Sequence, residues 1–199
     1  MTFSTTRIAG AFVIRPQRIE DERGFFARTY CVREFEAQGL DTKVVQRSLS
    51  HNARQGTLRG MHLQTAPHEE VKVVSCLRGK IYDVIIDLRP ASPSYRLWFA
   101  QVLSAEGFES LYVPQGCAHG YITLVDDSVV AYDISAFHHP ESARGVRFDD
   151  PAFAVEWPIP PRSSVLAIGA IPTTSVREAA GCPRASQSRA IVMSLRICA

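Results

Sequence analysis

The stretch VKVVSCLRGKIYDVIIDL, residues 71–88, decides the fold class. Two runs rich in β-branched residues flank Arg78 and Gly79, and neither run carries the three-to-four-residue apolar repeat of an amphipathic helix. Each is strand-length and a glycine lies between them, so the stretch reads as a β-hairpin turning at Arg78 and Gly79. Outward from it the pattern recurs in IAGAFVIRP (8–16), GFFARTY (24–30), KVVQRSL (43–49), RLWFAQVLS (96–104), ESLYVP (109–114), HGYITLV (119–125) and VVAYDIS (129–135). PASPSY (90–95) reads as a loop, because its prolines cannot donate ladder hydrogen bonds. One short helix is predicted, from Val32 with Gly39 as its stop. Many short strands with few short helices indicate an all-β sandwich or barrel, and PxGxxH in a turn (Pro114, Gly116, His119) fits a jelly roll.

The chain has 199 residues, enough for one domain of the usual size of about 100 to 200 residues. With 46% hydrophobic and 21% charged residues it is an ordinary globular composition, which excludes wholesale disorder and collagen-like repeats. A net charge of +2 is too small to argue for nucleic acid or an anionic membrane as partner. That average hides an asymmetry: residues 1–162 hold 18 basic and 19 acidic side chains, residues 163–199 hold 4 and 1, and none of the 18 aromatics falls in the second segment. The five cysteines (31, 76, 117, 182 and 198) are odd in number and never form CxxC, so neither a disulfide framework nor a zinc motif is expected. A reducing, cytoplasmic compartment is the simpler reading. No apolar run reaches about 18 residues, and MTFSTTRIAG lacks the pattern of a signal peptide.

Chemistry concentrates in DERGFF (21–26), TLRGMHLQ (57–64) with Lys72 soon after, VPQGCAHGYITL (113–124), and Tyr132 inside an apolar run. Regular alternation puts Arg59 and His62 on opposite faces of one strand, so a bulge or strand end is needed for both to meet in a pocket. Two chemistries compete for these residues. One is a cupin-type metal site using His62, His119 and Glu69 or Glu70, although His62 is followed by Gln64 where an HxH pair is usual. The other is metal-free acid–base catalysis by a His and Tyr pair. His51, His68, His138 and His139 read as surface or structural histidines.

DERGFF, TLRGMHLQ, the Lys72 strand running into GKIYDVIIDLRPASPSY, LSAE, LYVPQGCAHGYITL, and PESARG followed by FDDPAFAVEWP occur in the order found in the dTDP-4-dehydrorhamnose 3,5-epimerase family, which residues 7–161 resemble. The resemblance implies a cupin-like jelly roll, usually a homodimer, acting without metal or other cofactor on a dTDP-linked or other nucleotide-linked 4-keto-6-deoxyhexose. It implies His62 as base, Tyr132 as acid and Lys72 as stabiliser of the enolate. It also implies sugar or diphosphate contacts for Arg59 and His119, a diphosphate contact for Arg23, a nucleotide contact for Gln46, and an aromatic ring against the base at Phe137. Arg28, Ser48 and Ala143 stand where the family often has Glu, Asn and Glu. An epimerase of C3 and C5 is the main reading. The alternatives are a 3-epimerase or ketoisomerase of a related sugar nucleotide, or a binding-only remnant, and a metal-dependent oxygenase stands last.

The largest departure follows Trp157 and Pro158. There the family has a segment resembling SAxD, whose Asp hydrogen-bonds the catalytic His, but RSSVLAIGAIPTTS (162–175) contains no acid. Codons for residues 162–172 can be chosen so that the same bases, read from the third, give VISARDRRYP. The chain therefore reads as an epimerase domain over 1–162 joined to an atypical, poorly ordered tail over 163–199 that is out of frame. Without the orienting Asp, weak activity is expected.

Overall fold

The computed structural model describes residues 1–164, and strands dominate them. In chain order they are β1 (Thr2–Thr5), β2 (Phe12–Arg15), β3 (Arg18–Asp21), β4 (Gly24–Ala27), β5 (Gln46–Asn52), β6 (Thr57–Gln64), β7 (Lys72–Arg78), β8 (Lys80–Asp87), β9 (Trp98–Ser104), β10 (Ser110–Val113), β11 (Cys117–Thr123), β12 (Ser128–Ile134), β13 (Ala143–Gly145) and β14 (Ser163–Ser164). The one α-helix among the described residues, α1 (Val32–Glu36), lies where its stop signal predicts, with Gly39 in the left-handed region at φ +69°. The expected all-β, jelly-roll class holds.

The strands form two facing sheets, ordered β1-β2-β10-β7-β12-β5 and β13-β6-β11-β8-β9, with β14 parallel to β6; β3 and β4 form a separate ribbon. The hairpin predicted at Arg78 and Gly79 does not form. β7 pairs with β10 and β12 in the first sheet, whereas β8 pairs with β11 and β9 in the second. The glycine is instead the corner where the chain crosses between sheets, at φ +76°, and a Cβ there would lie 2.5 Å from Ser128 Oγ. Both strands bury apolar faces against a third element, so crossing buries more surface than pairing on one another.

The space between the sheets is filled by Val13, Val74, Cys76, Ile81, Ile85, Leu103, Leu111, Tyr121 and Val130. Each sheet is also covered outside. Val146 and Phe153, with Trp157 partly buried, pack on Met61, Leu63, Val84, Ile86 and Ala118. On the other side Phe35 of α1 sits with Ile14, Val71 and Tyr112. This double covering explains why β8 and β11 are apolar on both faces instead of alternating.

Candidate active site

Facing partners in an antiparallel pair project to the same side, so register shows which side chains enter the space between the sheets. In the first sheet Gln46, Ile134, Lys72 and Val113 form one row, and Ser48, Tyr132, Val74 and Leu111 the next. In the second, His62 faces His119, and Arg59 faces Tyr121, which in turn faces Asp83. Lys72 and Tyr132 thus stand on one wall, and His62, His119 and Arg59 on the other.

The bulge that Arg59 and His62 require is present. Between the pairs His62–His119 and Arg59–Tyr121, β6 advances three residues while β11 advances two. The extra residue returns Arg59 to the face that His62 occupies. Two glycines make this possible: Gly60 has φ +119°, and a Cβ on it would lie 2.4 Å from Gly120 Cα and 2.7 Å from the His119 carbonyl oxygen. A Cβ on Gly120 would meet the Arg59 carbonyl oxygen at 2.6 Å. Any side chain at either position would push the strands apart.

His119 is buried, and its Nε2 lies 2.7 Å from Oδ1 of Asp83, which is wholly buried. Burial pushes the Asp83 carboxyl up, against the opposing pull of His119 and Lys72. Its Oδ2 has no partner among the described residues. His62 is set differently. Burial, then the charges of Lys72 and His119, lower its pKa to about 4, so its imidazole is neutral at neutral pH. No carboxylate among the described residues hydrogen-bonds it. Burial, with Tyr121 as a hydrogen-bonding neighbour, raises the pKa of Tyr132, which stays protonated. The Tyr132 ring meets His119 edge-on at 6.2 Å between centroids. Lys72 Nζ lies 2.7 Å from Oε1 of Glu70, both side chains being nearly buried.

Arg59 stands at the exposed side of the cleft, its Nε donating to Asn52 Oδ1 at 2.8 Å, and Asn52 Nδ2 donates to the Tyr121 hydroxyl at 3.1 Å. A cavity of about 270 Å³ is lined by residues that include Lys43, Glu69, Gln115, Phe137, His68 and His139. The cleft therefore holds a neutral imidazole and a protonated phenol on opposite walls, with Lys72 and its partner Glu70 on the phenol's wall.

Of the residues singled out from sequence, His62, Lys72, Arg59, His119 and Tyr132 converge, and Gln46 joins the row of Lys72. Phe137 is 61% exposed, and its carbonyl oxygen accepts from Gln64. Arg23 lies in the β3–β4 ribbon, bonded to Asp21 with its side chain 84% exposed. The metal alternative through His62, His119 and Glu69 or Glu70 is not assembled: Glu70 pairs with Lys72 and His119 with Asp83. Sequence reasoning passed over Asp83, Asn52 and Tyr121. An acid inside the apolar run IYDVIIDL was the available signal for Asp83, because a buried carboxylate needs a partner. The segment whose missing Asp was inferred from residues 162–175 lies, from 165 onward, outside the described residues.

A family model described as dTDP-4-dehydrorhamnose 3,5-epimerase matches residues 5–181. The chain is 39% identical over 158 residues to a dTDP-4-dehydrorhamnose 3,5-epimerase of Sinorhizobium fredii, covering 79% of this chain and 81% of that one. It is 35% identical to a dTDP-4-dehydrorhamnose 3-epimerase of Streptomyces niveus, covering 76% and 73%. A 3,5-epimerase crystal structure from Bacillus anthracis, with TDP and PPi bound, superposes with a TM-score of 0.79 at 34% identity, covering 82% of this chain and 94% of that one. With a matched model spanning most of its length and relatives at this identity, the chain belongs to the dTDP-4-dehydrorhamnose 3,5-epimerase family.

Proposed function

We propose that the protein epimerises a dTDP-linked 4-keto-6-deoxyhexose at C3 and C5. The observation that carries this is a neutral His62 on one wall facing a protonated Tyr132 on the other, with the Lys72 ammonium on the Tyr132 wall. The 4-keto group acidifies the hydrogens on both neighbouring carbons. His62 takes one as a proton, the C–H electron pair becomes the enolate, and its oxygen is stabilised by Lys72. Tyr132 then delivers a proton to the opposite face of the same carbon as the enolate returns to the ketone, which inverts it; the phenolate recovers a proton from solvent and His62 releases the one it took. Arg59 and His119 hold sugar or diphosphate, a role to which the planar fork of Arg is suited.

Gln46 contacts the nucleotide, and Phe137 sets its aromatic ring against the base. Arg23 serves as a diphosphate ligand, and its isolated, exposed ribbon supports delivery to a second copy of the chain. Exposed Ile19 and Phe26 on that ribbon, and Leu49 and Leu77 on the first sheet, support a homodimer. No helix among the described residues is long and apolar enough to cross a membrane, and we place the enzyme in the cytoplasm on the free thiols of Cys31, Cys76 and Cys117. We place the epimerase domain at residues 1–162, followed by β14 beside β6, and read the segment from 163 as out of frame. Codons incompatible with the shifted reading would end that last point.

The experiment is solvent exchange: in D2O with dTDP-4-dehydro-6-deoxyglucose, deuterium is expected at C3 and C5. Label at C3 alone would favour 3-epimerisation, the activity named for the Streptomyces relative. No label in a folded chain that binds dTDP would leave a binding-only remnant.

A further inference from the structure

At the cavity of about 270 Å³, which His68 and His139 also line, two loops bring together the one cluster of histidine and carboxylate side chains among the described residues with metal-ligand spacing. His68, Glu141 and His139 have donor atoms within 4.8 Å of one another. His68 lies in the loop between β6 and β7, and the other two follow β12. Oε1 of Glu141 is 3.0 Å from Nδ1 of His139 and 3.9 Å from Nε2 of His68. Tetrahedral Zn²⁺ with bonds of about 2.0–2.2 Å holds its donor atoms about 3.3 Å apart, a value between these two spacings.

The loops are joined from inside before any ion arrives. Buried Gln64 donates Nε2 to the carbonyl oxygens of His68 at 2.9 Å and Phe137 at 3.0 Å, and its Oε1 accepts the His139 N–H at 2.6 Å. One side chain thus fixes the backbone at both histidines, so the ordering of the two loops is lost as entropy on folding and not on binding. The imidazoles stack with centroids 3.4 Å apart and planes 8° from parallel. An ion lies in the plane of each ring it binds, so capture must turn the rings out of parallel. Both side chains are about one-third exposed (32% and 35%), which leaves room to turn.

We propose that His68, His139 and Glu141 form a site for a divalent cation of the class that imidazole and carboxylate suit, with Zn²⁺ the best fit, which clamps the loop ahead of Lys72 to the loop carrying Phe137. The fourth position faces solvent and takes water. The site is separate from the acid–base pair and does not depend on the reaction assigned to it.

Tag-free, chelator-treated protein titrated with Zn²⁺ by calorimetry tests this. One ion per chain with micromolar affinity is expected, weakened at least tenfold in His68→Gln, His139→Gln and Glu141→Gln. His51→Gln, which removes an exposed histidine bonded to Asp127 elsewhere, binds as the parent does. Zn²⁺ should raise Tm in the parent and not in the three variants, and should shift the ring resonances of two histidines. Absence of stoichiometric binding, or equal weakening by His51→Gln, overturns the proposal. Circular dichroism confirms that each variant compared is folded.

Discussion

His62 and His119 face one another on paired strands in one cleft, yet their surroundings differ. His119 has a buried carboxylate 2.7 Å from its ring nitrogen. His62 has the Lys72 ammonium nearby and no carboxylate among the described residues, so burial and that charge keep its ring neutral. Position in the sheet does not distinguish the two rings; the nearest fixed charge does. A neutral ring has a free lone pair for a proton, whereas a ring tied to a buried acid is a rigid polar contact.

The strongest way to break the comparison is to remove the base. His62→Asn should lower deuterium incorporation by about 10²- to 10⁴-fold, the usual worth of a general base, with dTDP affinity retained. Equal loss of exchange and of nucleotide binding would return His62 to a binding role. Next in size is the carboxylate. Asp83→Ala leaves His119 buried without its partner and should lower unfolding free energy in urea by about 3 kcal/mol, while His62→Asn should change it by about 1 kcal/mol or less. If the two variants are equally stable, the contrast drawn between the histidines fails.

A third contrast is in the pH dependence. The folded-state pKa of His62 lies near 4, below its ordinary 6.5. Between those values the unfolded chain binds a proton that the folded chain refuses, so the stability from this group is complete above about pH 6.5 and is lost as pH falls toward 4. The slope approaches about 1.4 kcal/mol per pH unit, and His62→Gln should flatten it by that amount. Lys72→Met should move the His62 titration upward in a histidine NMR experiment, because it removes one of the charges that depress it. An unchanged titration would assign the whole depression to burial.

Much of this was legible in the residues. The strand content, the short helix and its stop, and the need for a bulge in TLRGMHLQ all follow from local chemistry: β-branched runs, a glycine stop, and a two-residue period that sends Arg59 and His62 to opposite sides. The residues of the proposed acid–base pair were singled out through ordered motifs more than through spacing, since a lone His or Tyr carries no local mark of its role. The hairpin at Gly79 was misread because a glycine between two apolar runs signals a change of direction without saying which strand comes alongside. His68 and His139, taken singly, looked like surface histidines. Their pairing depends on Gln64 joining two loops about seventy residues apart in sequence.

What the sequence determined by itself is therefore the alphabet of the fold and of the site: which segments extend, where the chain can turn, and which side chains are able to move a proton or hold an anion. Which sheet each strand joins, the one-residue advance that returns Arg59 to the side of His62, the match of Asp83 to His119, and the placing of His62 and Tyr132 on opposite walls were decided only by tertiary structure. The physical reason is that backbone hydrogen bonds are the same at every residue, so no strand encodes its neighbour. Pairing is chosen by the apolar faces that must be covered at once, and a residue's partners across the core, far away in sequence, then set its charge.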